Sequence, residues 1–472
     1  MVFSSNVFLF AYLPVVLLLY FLLPRKLKNP VLLLWSLVFY GWGEPVYLFL
    51  MIATIAMNYL FGLWISRCSS SRGAKGVLAA GVAANLLTLG FFKYAGFLLA
   101  QLQLLIPALR SVSAPEIALP IGISFYVFQS MSYIIDVYRK DAPVQKNPLT
   151  FGTYVALFPQ LIAGPIVRYR DVAQQLESRR ENVADFSSGV LLFITGLSKK
   201  VLIANAMGML WEGVKDAQGI VTFAGLSSYE GTLAAWAGLI AYALQIYFDF
   251  SGYSDMARGL GRMLGFEFLE NFNYPYISRS ITEFCRRWHI SLSTWFKEYV
   301  YIPLGGNRKG LPRQLLNIFI VWALTGLWHG ASWNFVLWGV YYALLLVAEK
   351  VFLLKLLKKM PAFLSHVYAM LAVLLGWALF YFQDLGALGS FFGRLFTLRA
   401  TPEEGVVKLL GFLPVLLFAA VAATPLGKRI NAAWGDTPLL RWGKVVLAAV
   451  LLVLCVAALA SSSFNPFIYF QF

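Results

Sequence analysis

Two histidines lie in polar motifs of a chain that is otherwise mostly apolar. His289 stands in Arg-Arg-Trp-His-Ile-Ser and His329 in Leu-Trp-His-Gly, and the whole protein has three histidines in 472 residues. Imidazole is the side chain best suited to move a proton near neutral pH. Because an ionisable group beside an apolar span is costly to keep without a partner or a function, this pair is the first candidate for chemistry.

The position of His329 predicts a deep site. An apolar helix is expected from Gln314 to Trp328 after a basic loop, which places His329 about 24 Å along the helix axis, against a hydrocarbon core about 30 Å thick. Gly326 and Gly330 flank the histidine and would leave room for a ligand. A deep imidazole suits general-base catalysis on a hydroxyl, as acyl transfer requires. The alternative is a structural histidine bonded to Asn334 or to a backbone carbonyl.

His289 is expected on one amphipathic helix from Ile281 to Tyr299. Large apolar residues recur there at spacings of three and four, and Ser280 with Glu283 has the capping-box spacing that marks a helix start. Such a helix would lie along the cytoplasmic interface, with its arginines toward head groups or an anionic ligand. His289 adjoins both faces, so it either points toward a cavity or supports an interfacial anchor. The sequence does not show that the two histidines meet.

Two carboxylates, Asp249 and Asp255, stand at the end of an apolar run. Their separation of six residues does not place them on one helix face, and the intervening Ser-Gly-Tyr-Ser indicates a break in the helix. They either act as a carboxylate pair or serve as a cap or salt bridge at a helix end. The three cysteines, Cys68, Cys285 and Cys455, show neither metal-ligand spacing nor a disulfide framework, so no metal site is predicted.

The composition indicates a membrane protein. The chain is 60% hydrophobic and 13% charged, and soluble domains usually carry about twice that charged fraction. Since a bilayer span needs about 20 mostly apolar residues, we predict an all-α polytopic protein with about ten or eleven transmembrane helices. Re-entrant and interfacial helices are expected between them. The segment 158–165 is apolar but bracketed by prolines and too short to span, which is typical of backbone buried at membrane depth.

The charge pattern predicts the orientation. The net charge is +16, which in this setting reflects basic cytoplasmic loops and not nucleic-acid binding. Arg25, Lys26 and Lys28 follow the first span and no basic side chain precedes it, so we predict an external N-terminus and no cleaved signal peptide. We predict one membrane domain in three parts: N-terminal scaffold helices 1–145, a catalytic middle 146–335 and C-terminal scaffold helices 336–472.

Several motifs, in their order along the chain, resemble the membrane-bound O-acyltransferase family. The resemblance covers nearly the whole chain and is greatest to the alginate-type bacterial branch, beside the D-alanyl transferase branch. Cys285 stands where the branch usually has tryptophan, and Lys297-Glu298 where Arg-Asp is common. The resembling motifs are 163–171, 247–255, 271–276, 286–295, 301–308, 325–330 and 465–470.

The resemblance implies a ring of tilted helices around a thin centre, with a funnel from outside and a tunnel from the cytoplasm. The catalytic histidine of the family maps onto His329 and its second polar residue onto His289. An acyl group from a cytoplasmic thioester, either acetyl-CoA or a phosphopantetheine-linked donor, would pass to the outer side without a bound cofactor. Candidates for lining the donor site or tunnel are Arg286, Arg287, Trp328, Asn334, Asp249, Ser251, Tyr253 and Asp255.

The expected function is O-acetylation of a cell-envelope or secreted polysaccharide, from the bacterial cytoplasmic membrane. The resemblance also implies an extracytoplasmic acetyltransferase partner that modifies the polysaccharide. One alternative is D-alanyl transfer from a carrier protein to teichoic acid. Another is a transporter or lipid flippase, because broken helices and deep polar residues also mark transporters, but the chain lacks paired broken spans in two similar halves.

Overall fold

The computed structural model describes residues 1–113, 117–215, 229–434, 437–461 and 464–468. Within these ranges the chain consists of helices joined by turns and loops, with no β-strand. The predicted all-α class is therefore confirmed. The last two residues of the motif 465–470 lie outside the described residues.

The described residues form twenty α-helices, several of them continued by short π-helical or 3₁₀ segments. The α-helices are α1 (Leu13–Leu22), α2 (Arg25–Gly41), α3 (Tyr47–Arg67), α4 (Ser71–Leu105), α5 (Ile123–Arg139), α6 (Pro148–Ala156), α7 (Tyr169–Glu177), α8 (Val183–Ser198), α9 (Asn205–Lys215), α10 (Thr232–Met263), α11 (Ile281–Arg287), α12 (Ile290–Phe296), α13 (Gly310–His329), α14 (Trp333–Ala348), α15 (Leu354–Leu357), α16 (Ala362–Tyr381), α17 (Leu385–Phe396), α18 (Glu403–Ala422), α19 (Leu426–Trp434) and α20 (Pro438–Ser461). The π-helical segments are Phe8–Tyr12, Lys199–Ala204, Lys297–Tyr301 and Glu349–Leu353, and the 3₁₀ segments are Pro107–Ser111 and Pro275–Ile277.

Seven helical stretches in the described ranges are long and apolar enough to cross a membrane. They comprise α3, α4, α8 to α9, α10, α16, α18 and α20. The larger predicted number, about ten or eleven, also counted shorter apolar stretches, such as Phe8–Leu22 and α14. The chain is therefore a multi-pass membrane protein.

The chain packs as two compact units. The first comprises Met1–Phe193 and Tyr253–Glu270, and the second comprises Ile194–Gly252 and Asn271–Phe472. Both histidines of interest belong to the second unit. The functional division at residues 145 and 335 stays a prediction, because packing does not report on function.

The first unit contains the predicted non-helical segment. Residues 157–168 form turns and extended backbone between α6 and α7, and residues 157–167 are all buried. Ile162 has a φ of 78°, in the left-handed region that disfavours branched side chains. The Tyr253 hydroxyl donates a hydrogen bond of 2.7 Å to the Leu161 carbonyl, so a buried side chain satisfies this irregular backbone, as apolar surroundings require.

Two of the predicted helix boundaries are wrong. The expected break at residues 251–254 is absent, because α10 runs without interruption from Thr232 to Met263. The expected single helix from Ile281 to Tyr299 is instead broken between α11 and α12, where His289 adopts a φ of 44°. Periodicity alone missed this break because the apolar residues keep helical spacing on both sides of it.

Helices α13 and α14 form a closely packed hairpin in the second unit. A β-carbon added to Gly326 would collide with the Phe335 carbonyl oxygen and lie 3.2 Å from the Gly339 α-carbon, and one added to Gly330 would collide with the Phe335 ring. The expectation that Gly326 and Gly330 leave room for a ligand is therefore wrong. They allow two helices to approach, as small residues do in membrane proteins.

We expect Gly326→Ala to lower the free energy of unfolding by about 1–3 kcal/mol, the usual cost of overpacking a tight contact. The obstructing atom is a backbone oxygen, which cannot rotate away. Thermal unfolding of the detergent-solubilised protein would measure this. Gly411→Ala is the matched control, because an added β-carbon there has nothing within 4 Å. Equal unfolding temperatures for the two variants would contradict the close packing.

Candidate active site

His289 occupies a buried turn between α11 and α12. Its side chain is 2% exposed, and its Nδ1 lies 3.2 Å from the Asn271 Oδ1. The same Oδ1 accepts hydrogen bonds from the Ser291 backbone N–H at 3.1 Å and from the Ser291 hydroxyl at 2.9 Å. The backbone N–H of Ile290 donates to the Asn271 carbonyl at 2.9 Å. One asparagine therefore holds the whole turn that carries the imidazole.

Helix α11, which leads to this turn, is fixed at its start. The Ser280 hydroxyl accepts from the Glu283 backbone N–H at 3.0 Å, so the predicted helix start is confirmed. The buried carboxylate of Glu349 accepts from the backbone N–H groups of Ile281 and Thr282 at 2.6 and 2.8 Å. A negative charge at a helix N-terminus satisfies unpaired donors and opposes the helix dipole. Glu349 thus ties α11 to the end of α14.

His329 is the last residue of α13 and is 6% exposed. Its ring packs edge-to-face against Trp328, Trp338 and Phe380, with centroid separations of 4.9, 5.0 and 5.1 Å. The carbonyl end of a helix carries partial negative charge, which stabilises an imidazolium formed there. The position therefore supports an imidazole that takes up a proton transiently.

Trp328 brings the two histidines into one site. Its indole lies 6.0 Å from the His289 ring and 4.9 Å from the His329 ring. The sequence left open whether the histidines meet, and the structure places both against the same side chain. With Trp338, Phe380, Phe250 and Phe272, this tryptophan forms what we call the aromatic cage.

The site excludes bulk water and keeps His289 neutral. His289 lies outside the membrane-spanning helices, and burial lowers its pKa to about 3, so the imidazole is neutral at physiological pH. A neutral imidazole has one nitrogen that donates and one that accepts a hydrogen bond. The indole Nε1 of Trp338 is a buried donor with no hydrogen-bond partner among the described residues. Such a donor can stabilise negative charge that develops on a substrate oxygen.

Four of the predicted lining residues lie in or near this site. Trp328 belongs to the cage. Asn334 is buried and donates from Nδ2 to the Phe380 carbonyl at 2.8 Å, which ties α14 to α16. Arg287 forms a 2.9 Å ion pair with Glu283 on α11. Arg286 is exposed, and no ion pair of its guanidinium is found in the described ranges.

Asp249 serves a different purpose from the one expected at a helix end. It lies within α10, 2% exposed, and forms a 2.8 Å ion pair with Lys200. A π-helical segment, Lys199–Ala204, carries this lysine. Ser251 is buried on the same helix. The salt-bridge alternative is therefore confirmed, and the cap at a helix end is wrong.

Tyr253 and Asp255 belong to the first unit. Tyr253 bonds to the irregular segment 157–168 and stacks on Phe3 at 4.6 Å. Asp255 pairs with Arg258, one turn later, at 3.5 Å. Asp249 and Asp255 have different cationic partners, Lys200 and Arg258, so the ion-pair alternative describes both carboxylates.

Sequence reasoning missed four residues that shape the site: Asn271, Trp338, Glu349 and Phe380. Asn271 is the first residue of the motif 271–276, and a polar residue within an aromatic motif is the signal that could have identified it. Trp338 follows Asn334 by four residues, so helical spacing places the two on one face of α14. Glu349 is an acid at the end of an apolar helix. Phe380 carried no distinguishing signal.

A separate cavity of about 640 Å³ lies in the second unit, and its lining includes neither His289 nor His329. Its walls come from α10, α16, α18 and the 3₁₀ segment Pro275–Ile277. Tyr276 lines the cavity and accepts a hydrogen bond from the Trp377 indole at 3.1 Å. Trp377 in turn packs 5.6 Å from Phe380 of the cage. Aromatic contacts therefore link this cavity to the aromatic cage.

Comparison with known proteins places this site in a family. The membrane-bound O-acyltransferase family model matches residues 139–391. The chain is 38% identical to a probable alginate O-acetylase of Pseudomonas putida over the full length of both proteins. It is 33% identical to a peptidoglycan O-acetyltransferase of Helicobacter pylori, over 82% of this chain and 78% of that protein.

A more distant relative is a teichoic acid D-alanyltransferase of Bacillus subtilis, 28% identical over 49% of this chain and 59% of that protein. The family model spans α6 to α16 and so includes both His289, in the turn between α11 and α12, and His329, at the end of α13. The chain therefore belongs to the membrane-bound O-acyltransferase family and is a multi-pass membrane O-acyltransferase.

Proposed function

We propose that this enzyme transfers an acetyl group from a cytoplasmic thioester across the membrane for O-acetylation of a cell-envelope or secreted polysaccharide. The observation that carries the proposal is the pair of buried histidines against one indole, in a chain that matches a probable alginate O-acetylase along its full length. The relative that acetylates peptidoglycan also points to acetyl transfer onto a polysaccharide.

In the proposed reaction His329 acts as general base. Its imidazole takes the proton of an acceptor hydroxyl while the hydroxyl oxygen attacks the thioester carbonyl carbon. The carbon–sulfur bond then breaks, and the proton passes from the imidazolium to the leaving thiolate. Because His329 ends α13, the helix dipole stabilises the imidazolium between these two steps.

The aromatic cage supports transfer in preference to hydrolysis. Three rings pack edge-to-face on His329 at about 5 Å, which leaves little space for bulk water. The Trp338 Nε1 is a donor for the oxyanion of the tetrahedral intermediate. Water would otherwise compete with the acceptor hydroxyl for the activated carbonyl.

The donor is proposed to be acetyl-CoA or a phosphopantetheine-linked thioester. Both carry phosphates, and Arg286 is an exposed cation on α11, three residues before His289. An arginine can contact a phosphate through two parallel hydrogen bonds. We propose that the protein lies in the bacterial cytoplasmic membrane with its N-terminus outside, and that an extracytoplasmic acetyltransferase completes transfer to the polysaccharide.

The identity of the acyl donor that the enzyme accepts tests the proposed function. We expect the purified protein in liposomes to release CoA from radiolabelled acetyl-CoA and pass the label to an acceptor outside, when an extracytoplasmic partner and polysaccharide are supplied. A D-alanyl-loaded carrier protein should not donate. Protein-free liposomes give the background. Transfer of D-alanine without acetyl transfer would overturn the proposal and favour the activity named for the Bacillus relative.

A further inference from the structure

We propose that Asn271 is a positioning residue that fixes His289 in the neutral tautomer with its proton on Nδ1. The Nε2 of His289 then carries the lone pair. The role of this lone pair in acyl transfer rests on the proposed function, whereas the tautomer itself does not.

The orientation of the Asn271 amide follows from the backbone. The atom that faces the Ser291 N–H, at 3.1 Å, must be an acceptor, because a backbone N–H can only donate. In an asparagine side chain the oxygen is the acceptor and the nitrogen the donor. The Oδ1 therefore points at the turn, and the Ser291 hydroxyl donates to the same atom at 2.9 Å.

The tautomer of His289 follows from that oxygen. Its Nδ1 lies 3.2 Å from the Asn271 Oδ1, which has no proton to give. The Ser291 hydroxyl lies 3.5 Å from Nδ1, but it donates its proton to the same Oδ1 at the shorter distance of 2.9 Å, so Nδ1 is the donor. The imidazole has ring neighbours Phe250, Phe272 and Trp328, which carry no charge. A neutral ring with the proton on Nδ1 has an unprotonated Nε2, and this nitrogen can accept a hydrogen bond from a hydroxyl.

The turn requires the same asparagine. His289 has a φ of 44°, an unusual value for a residue with a β-carbon, and such a conformation persists only when its surroundings hold it. The Asn271 carbonyl accepts from Ile290, and its side chain accepts from Ser291 and His289. Asn271 therefore holds both the backbone conformation of the turn and the proton on the Nδ1 of His289.

The Nδ2 of Asn271 is an unusual hydrogen-bond donor. It is buried and has no hydrogen-bond partner among the described residues. A buried donor is costly to leave unpaired, so its presence beside the imidazole needs an explanation. The explanation is that the oxygen of the same amide is required at the turn, which fixes the nitrogen on the opposite side.

A purely structural role for Asn271 makes different predictions. If the side chain only held the turn, Asn271→Asp would be tolerated, because a carboxylate oxygen still accepts from Ser291 and His289. If it sets the state of the imidazole, the same change should place a negative charge against Nδ1–H and favour the imidazolium. Asn271→Leu, similar in size, removes the acceptor altogether.

The first test measures directly which ring nitrogens of His289 are protonated. Nitrogen NMR of the full-length protein labelled with ¹⁵N-histidine reports each ring nitrogen, and the chain has three histidines, so His289→Gln and His366→Gln assign the signals. We expect wild-type His289 to be protonated on Nδ1 alone, Asn271→Asp to show an imidazolium, and Asn271→Leu to populate Nε2–H. A wild-type ring protonated on Nε2, or an unchanged tautomer in Asn271→Leu, would overturn the proposal.

The second test uses the pH dependence of acetyl transfer. Opposite charge raises the pKa of a histidine, so the acid limb of the profile should move to higher pH in Asn271→Asp. Asn271→Leu should lose about 10- to 100-fold in kcat, the loss found for residues that orient metal-binding histidines. A wild-type profile for Asn271→Asp would show a structural role only. If the wild type showed no acetyl transfer, the proposed function would be wrong. The NMR result on the tautomer of His289 would be unaffected.

Discussion

Replacing His329 by alanine should lower the rate of acyl transfer by about 10²- to 10⁴-fold, the usual contribution of a general base. The His329 ring packs against Trp328, Trp338 and Phe380 of the aromatic cage, so the alanine variant removes the imidazole from the position where the proton is transferred. The effect should fall on kcat, since the proton is moved in the transition state. Release of CoA from radiolabelled acetyl-CoA in liposomes measures it.

Two controls separate catalysis from packing. His329→Gln keeps a polar side chain of similar volume and should be as inactive as His329→Ala, because an amide nitrogen cannot take up a proton at neutral pH. His366→Gln removes the third histidine, whose Nδ1 lies 3.0 Å from the Ser278 carbonyl, and should keep wild-type activity. Turnover near the wild-type rate in either variant of His329 would disprove the general-base assignment.

The sequence predicted the class of fold because membrane helices are encoded locally. An apolar run of sufficient length can satisfy its backbone hydrogen bonds only as a helix, so composition alone identifies the class. The buried turns of 157–168 were also predicted, from prolines that bracket a short apolar segment. The division into two compact packing units could not be predicted from the sequence, because the single helix α10 contributes residues to both units.

The site was predicted in part. Both histidines were selected as candidates because imidazoles are rare in this chain and chemically suited to proton transfer, and the structure places them against one indole, while their catalytic roles stay predictions. The break at His289 was missed because its cause, Asn271, lies eighteen residues earlier and acts through tertiary contacts. The role of the glycines beside His329 was misassigned for the same reason. Whether a glycine makes space for a ligand or for a helix depends on the opposite surface, here Phe335 and Gly339.

Breaking the buried pair of Lys200 and Asp249 should give the largest loss of stability. The two side chains are 3% and 2% exposed and lie 2.8 Å apart. Asp249 also accepts from the Ile468 backbone N–H at 2.8 Å, and Lys200 donates to Asn205 at 2.9 Å and to the Pro466 carbonyl. Asp249→Ala leaves an uncompensated buried cation, so we expect a loss of about 3–5 kcal/mol in the free energy of unfolding.

The double variant Lys200→Met with Asp249→Leu distinguishes charge from packing. It removes both charges and retains most of the volume, so it should be more stable than Asp249→Ala, as found when buried ion pairs are replaced together. Lys408→Met with Glu404→Gln is the matched exposed control. Its atoms are 2.7 Å apart, but the side chains are 46% and 68% exposed, so solvent screens the pair and little should change. Thermal unfolding in detergent compares all three. If Asp249→Ala proved as stable as the double variant, the buried charge left on Lys200 would not be what destabilises the fold.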